Sequence, residues 1–315
     1  MKQGLVALPQ LLALLLLAAL TGSCAPALQH LHSASAIEGQ EVLPLTTVVF
    51  SGNRYVAEAD LGLEKPVPLM IHGNARMYLM VTHEIGERLT GGSVAKVEEY
   101  GYSAKGKGLI RVPLLRLGGR RITNIPNVPV FDYSADGESP VKGMVGVPFL
   151  IAERAAVDFS RDVLILGVRA SAGPDQRLLA LGYKYVPTTV DSTNRMTIRA
   201  YLPILDRTIS ITPSTVANAL TLHRPPFAGK VAMTKDTTST DQSPSGTYPD
   251  IYFSDGIAFE IARVKLSAPA TLEDFAEYAN VPESDLTNLG MLGYDWMKAH
   301  AAIIDYANRF LYFKP

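Results

Sequence analysis

Gly143-Met144-Val145-Gly146 returns as Gly290-Met291-Leu292-Gly293, 147 positions further on. The same spacing sets Ala152 against Ala299 and Ala155 against Ala302. It continues without a gap, so that Val157-Asp158-Phe159 meets Ile304-Asp305-Tyr306 and Val163-Leu164-Ile165 meets Phe310-Leu311-Tyr312. A second match opens each half: Asn53-Arg54, followed by Ala59 and Leu61, parallels Asn194-Arg195, followed by Ala200 and Leu202, at a spacing of 141. Self-similarity of this kind marks a duplicated structural unit, here two copies of roughly 120 residues each. Ala170-Ser171-Ala172-Gly173-Pro174-Asp175 falls between them as a linker with turn chemistry. The predicted units span 45–169 and 170–315.

Inside each unit the apolar pattern has the period of strands. Leu45 to Phe50, Leu109 to Leu115 and Val163 to Val168 are short apolar or alternating runs of the kind that form half-buried or buried strands. Helical signals are few and short. Val81 to Leu89, Ser214 to Leu222 and Thr271 to Tyr278 are the predicted helices, the last opened by a threonine with acids two and three places on. The expected fold is mostly β, with two related lobes and a few short helices.

The amino terminus has a separate logic. Lys2 is followed by a largely apolar run, Leu5 to Leu20, too short and one-sided for a membrane span but suited to a secretory signal. Leu20-Thr21-Gly22-Ser23-Cys24 resembles the lipobox of bacterial lipoproteins, with threonine where a larger aliphatic residue is usual. Residues 1–23 are therefore expected to be removed, Cys24 to carry lipid, and 24–44 to tether the folded part to a membrane of the cell envelope, facing the periplasm. Cys24 is the only cysteine, which excludes an intrachain disulfide.

Charge is balanced, with 29 Lys plus Arg against 30 Asp plus Glu and no basic block, so nothing points to nucleic acid. His72 and His83 stand eleven apart without an HExxH or clustered acids, and His30 and His32 fall in the tether, so neither a metal nor a cofactor is expected. No Gly-x-Ser-x-Gly or cysteine nucleophile is present for other hydrolase chemistry.

The order of glycine motif, apolar helical turn, apolar-Asp-aromatic and closing strand resembles one half of a retropepsin-like aspartic protease unit. Met291-Leu292-Gly293-Tyr294-Asp295-Trp296, then Ile303-Ile304-Asp305-Tyr306 and Leu311-Tyr312-Phe313, is the better copy. Two such units in tandem resemble the two lobes of pepsin-like enzymes. The resemblance implies one Asp from an Asp-Thr-Gly or Asp-Ser-Gly turn of each lobe, the pair sharing a proton so that one activates water and the other protonates the leaving group.

Neither tripeptide occurs in the chain. In the first unit Pro68 to Ala75 fills the turn, with Ile71 read at the acid's place followed by His72, Gly73 and Asn74. Gly73 is read as a turn residue that permits positive φ. In the second unit Ile211-Thr212-Pro213 is read as leading straight into a helix, about ten residues of turn being lost. A hydrocarbon neither activates water nor protonates an amine, so the usual mechanism is unavailable.

The expectation is a pseudoenzyme that keeps the fold and holds an extended peptide or a protein partner. In that reading His72, Asn74 and Met77 line the cleft, and Gly143, Gly146, Gly290 and Gly293 are sites of close backbone approach. Asp158 and Asp305 are read as structural acids beside turns, Tyr294 and Trp296 as packing. Two alternatives stand beside it: an active peptidase drawing acids from Asp206 or Asp255, and a structural envelope lipoprotein.

Overall fold

The computed structural model describes residues 37–50, 52–95, 108–131, 139–191, 194–237, 250–279 and 283–315. The signal segment and Cys24 lie outside them. The first lobe contains β1 (Glu41–Pro44), β2 (Thr46–Val49), β3 (Asn53–Asp60), β4 (Val67–Ile71), β5 (Leu79–Thr82), α1 (His83–Thr90), β6 (Leu109–Leu117), β7 (Arg120–Phe131), β8 (Gly143–Val145), α2 (Val147–Ala152), β9 (Ala156–Asp158) and β10 (Val163–Leu166). The second contains α3 (Gln176–Ala180), β11 (Lys184–Pro187), β12 (Thr189–Val190), β13 (Met196–Leu202), β14 (Arg207–Pro213), β15 (Leu220–His223), β16 (Thr234–Lys235), β17 (Tyr252–Ile261), β18 (Val264–Glu273), α4 (Phe275–Ala279), β19 (Gly290–Leu292), α5 (Tyr294–Ala299), β20 (Ile303–Asp305) and β21 (Phe310–Phe313).

Three sheets carry the architecture. One runs β2-β3-β4-β8-β5-β7-β6 and curls back through β3–β6 pairing; the second runs β12-β13-β14-β19-β15-β18-β17-β16 and curls back through β13–β17. Each lobe is thus a small barrel, closed by bulges at equivalent places in the long hairpins, between Ile110 and Val112 and between Ser254 and Ile257. Strands of the barrel wall alternate, as in β6, where Ile110, Val112, Leu115 and Leu117 turn inward and Arg111 and Arg116 outward. The third sheet, β1-β10-β9-β20-β21-β11, belongs to both lobes. Its centre is the β9–β20 pair, with Val157 opposite Ile304, so the closing strands of the two copies meet there. Both of its central hairpins are apolar on both faces, which is why Val163-Leu164-Ile165-Leu166 is fully buried.

Some sequence expectations are corrected. Glu41–Pro44, expected within the tether, is instead a strand paired with β10. The first predicted helix begins at His83; Val81 and Thr82 belong to β5, where they pair with Val130 and Phe131. The last begins after Asp274, whose carboxylate accepts the N–H groups of Ala276 and Glu277, and Thr271 stays in β18. No helix among the described residues is long and apolar enough to cross a membrane.

Candidate functional site

Two equivalent turns face each other where the barrels meet. β4 lies parallel to β8 with Leu69, Met70 and Ile71 opposite Gly143, Met144 and Val145. β14 lies parallel to β19 with Thr212 and Pro213 opposite Met291 and Leu292. Since β8 and β19 are copies, register equates Ile71 with Pro213, His72 with Ser214 and Gly73 with Thr215. This corrects two readings. Ile71 is the last strand residue, buried in the core, and His72 opens the turn. The second turn is present, at 214–219.

The shift in repeat spacing arises elsewhere. Met80 and Thr221 both face the methionine of the glycine motif, Met144 and Met291 respectively. These pairs are 221 − 80 = 141 and 291 − 144 = 147 apart, so the second lobe gains six residues after β15. The predicted helix over 214–222 does not form. Ala217 and Asn218 give their carbonyls to Tyr294 N (2.6 Å) and Asp295 N (2.8 Å), and the chain enters β15 at Leu220. Pro225 and Pro226 then allow only a short 3-10 turn where the first lobe has α1.

One hydroxyl joins the lobes at this point. Thr215 Oγ1 accepts the Gly73 N–H (2.7 Å) and donates to the Ile71 carbonyl (2.6 Å), and both Gly73 and Thr215 are buried. Gly73 does not need positive φ, since it is absent from the residues with left-handed backbone. What it provides is room: a Cβ there would stand 2.6 Å from the Tyr306 hydroxyl. Tyr306 is fully buried, and among the described residues its hydroxyl has no partner; desolvation holds its ionisation far above the ordinary phenol range. The repeat has Phe159 at the equivalent place, so the phenol oxygen is an addition of the second copy.

His72 and Ser214 bind their own turns. His72 Nδ1 accepts the Asn74 N–H (3.2 Å), which leaves the proton of the neutral ring on Nε2. Ser214 Oγ, wholly buried, accepts from Val216 N (3.2 Å) and Ala217 N (2.9 Å). Among the described residues no hydrogen bond joins the two side chains, so they do not form a nucleophile and base. His72 keeps some contact with water, yet enough protein surrounds the ring that desolvation, reinforced by the charges of Arg54 and Arg195, pushes its pKa from 6.5 down to about 3. The unfolded chain therefore takes this proton near pH 6.5 and the folded chain only near 3. Protonation favours the unfolded state, and His72 lowers stability as pH falls through that window. Its Hε1 NMR resonance is expected to keep the neutral shift down to about pH 4; a midpoint near 6.5 would contradict this surrounding.

No protein-family model matches the chain, and no curated protein matches it in sequence. Among solved structures it is similar to the aspartic proteinase from Irpex lacteus, at 10% identity and a TM-score of 0.50, over 87% of this chain and 96% of that one. The fold is that of a two-lobed aspartic proteinase. In Ser214-Thr215-Val216 a hydroxyl residue stands second, directly after Ser214. The register equivalent of Ser214 in the first lobe is His72.

The remaining acids lie elsewhere. Asp158 Oδ1 accepts from Ser160 N (2.9 Å) and Oγ (2.7 Å), and the Asp305 carboxylate accepts from Asn308 N and Nδ2 (each 2.9 Å), so each acid closes the turn after its strand. Burial raises both carboxyls and these hydrogen bonds oppose it. Asp206 is exposed in the turn that begins β14 and accepts from Tyr201 OH. The seven residues of β14 separate it from Ser214, roughly 25 Å of extended chain. Asp255 is exposed at the bulge of β17.

Asn74 Nδ2 reaches Met291 Sδ across the lobes (3.1 Å), and its Oδ1 is buried without a partner among the described residues. Met77 packs on a small cluster that includes Val56, Met70, Met80 and Met144, beside Val216. Tyr294 inserts between the lobes, its ring 5.0 Å from Tyr55 and 5.9 Å from Phe159, its hydroxyl 3.1 Å from Thr47 Oγ1. His83 Nε2 bonds the Val94 carbonyl (2.6 Å), and among the described residues no three His, Cys, Asp or Glu side chains gather as metal ligands. Sequence reading missed His223, which is buried, accepts Phe275 N–H at Nδ1 (3.1 Å) and lies beside Glu273, whose carboxyl burial lifts to about 7. It had no partner within a motif, because its contacts come from a segment fifty residues on.

Proposed function

We propose that this protein is a non-catalytic member of the two-lobed design, anchored to the cell envelope through lipid on Cys24, and that the junction between its lobes holds an extended peptide or a segment of a protein partner. What supports the reading is that His72 and Ser214, equivalent by register, open the two facing turns and carry no carboxyl that could share a proton. The inter-lobe hydroxyl bridge and the shared sheet keep the two turns opposed, which is the arrangement a binding groove needs and a merely structural lipoprotein does not.

The test is retention. The intact chain, purified in mild detergent and immobilised, is exposed to random octapeptides, and bound peptides are eluted and weighed by mass spectrometry. Intact bound peptides are expected; retention of none overturns the binding reading. For the anchor, Cys24→Ala is expected to move the protein from the membrane to the soluble fraction, and continued membrane association would refute lipid attachment at that residue.

A further inference from the structure

A cavity of about 340 Å³ opens on the first lobe between the end of α2 and the chain that follows β10, and it shares no residue with the facing turns. Gln40, Arg120, Glu153, Arg154, Gly167 and Arg169 are among the residues that line it. Its walls are tied through the backbone: the Gly167 N–H donates to the Glu153 carbonyl (3.0 Å) and the Val168 N–H to the Arg154 carbonyl (2.9 Å). The segment before β1 runs alongside, with the Arg169 N–H donating to the Glu38 carbonyl (3.3 Å) and the Gln40 N–H to the Leu166 carbonyl (2.9 Å).

Three arginines and one acid line this space. Arg154 Nε donates to the Val168 carbonyl (2.7 Å), which fixes the guanidinium plane, while Nη2 is buried with no partner among the described residues. A buried donor of a charged group is costly to leave without an acceptor. Arg120 Nη2 donates to Gln40 Oε1 (2.8 Å), and its Nε stands 3.7 Å from Glu153 Oε2. Gly167 makes room for that side chain, because its backbone is left-handed (φ 65°) and a Cβ there would meet the Arg120 guanidinium. Arg169 is exposed, and among the described residues its side chain makes no hydrogen bond or ion pair. The nearby acids are engaged elsewhere. Glu38 pairs with Arg177. The Asp305 carboxyl feels the charge of Arg154, yet its two oxygens accept from Asn308 and no ion pair joins it to Arg154 among the described residues. Nor does the fold ask for an arginine at 154. The equivalent residue of the second copy is Ala301, with the same left-handed backbone, φ 46° against 51°.

We infer that this cavity is an oxyanion site that takes a phosphate group, supplied either as free phosphate or as the phosphate of a lipid headgroup. Planar guanidinium forks match phosphate oxygens in geometry and stay charged at any working pH. The volume lies at the small end of ligand cavities, enough for a phosphate and a short group attached to it. The anchor proposed at Cys24, 40 − 24 = 16 residues before Gln40, is what makes a headgroup a second source. The inference is independent of the peptide-binding reading.

The intact chain, purified in mild detergent, is titrated by calorimetry with inorganic phosphate at constant ionic strength, and separately with glycerol phosphate. Saturable binding is expected. R154A, whose backbone the second copy already combines with alanine, and R169Q, whose side chain the fold does not use, are each expected to weaken it about tenfold, the loss of one charged hydrogen bond. R199Q, which changes an exposed arginine on β13, is expected to leave it unchanged. Circular dichroism establishes that each variant is folded. Tighter binding of glycerol phosphate identifies a headgroup as the source, and tighter binding of phosphate identifies the free ion. No saturable binding of either by the parent chain, or unchanged affinity in R169Q or in a folded R154A, would overturn the inference. Retention of octapeptides at the lobe junction does not involve these residues, so failure here leaves that reading standing.

Discussion

Gly146→Val and Gly293→Val are each expected to lower stability by about 3–5 kcal/mol, the range of a substitution that drives a side chain into fixed backbone. A Cβ on Gly146 would meet Met77 O and stand 2.5 Å from Ala75 O; one on Gly293 would meet Ala219 O and stand 2.6 Å from Ala217 O. These carbonyls cannot retreat. Ala75 O accepts Val147 N at 2.9 Å and Ala217 O accepts Tyr294 N at 2.6 Å, so moving them would also break the bonds that seat α2 and α5 against the turns. Backbone conformation is not the reason, since Gly146 and Gly293 are both extended. Gly173→Ala is the control, because nothing lies within 4 Å of its added methyl. Urea unfolding monitored by circular dichroism should show early, broadened transitions for the two valine variants and an unchanged midpoint for the control. A Gly146→Val protein as stable as the parent would show that the turn is not packed as described.

Thr215→Val is the second large effect. The swap keeps shape and removes the hydroxyl that bridges the two turns, leaving the Gly73 N–H and the Ile71 carbonyl unpaired in a buried place. Each orphaned group costs about 1–3 kcal/mol, so a loss of about 2–4 kcal/mol is expected, with Thr215→Ser milder because the hydroxyl remains. The local readout is hydrogen exchange at the Gly73 amide, which should lose its protection in the valine variant and keep it in the serine variant. Protection unchanged in Thr215→Val would mean that the lobes are held without this bridge.

The fold was largely legible because the second half of each unit is copied almost position for position. Gly143 to Leu166 and Gly290 to Phe313 build the same glycine strand, helical turn and closing hairpin, and the apolar character of both closing strands is what places them face to face in one sheet. The turns were harder. Whether Ile71 or His72 opens the first turn depends on pairing with β8, a contact seventy residues away that no local pattern records. Ser214-Thr215-Val216-Ala217-Asn218 has the composition of a capped helix start, and Ser214 does accept two following N–H groups as a cap would. Long-range competition from α5 for the next carbonyls decides against the helix. Carrying the Arg54–Arg195 spacing of 141 forward aligns His72-Gly73 with Pro213-Ser214, one residue short of the register set by β8 and β19, so the spacing would have located the second turn to within one residue. The Tyr306 hydroxyl was legible only as the difference between Phe159 and Tyr306; its place against Gly73 was not.

Proteolysis at acid pH tests the central claim most directly. The intact chain, purified in mild detergent, is incubated with an unfolded protein such as reduced casein between pH 3 and 6, and the products are resolved by mass spectrometry. On the proposed reading, His72 and Ser214 open the two facing turns and offer no proton-sharing carboxyl pair, so the fragment pattern is expected to match that of substrate alone. Pepstatin-sensitive cleavage that disappears when a single aspartate, Asp206 or Asp255, is changed to asparagine would contradict it.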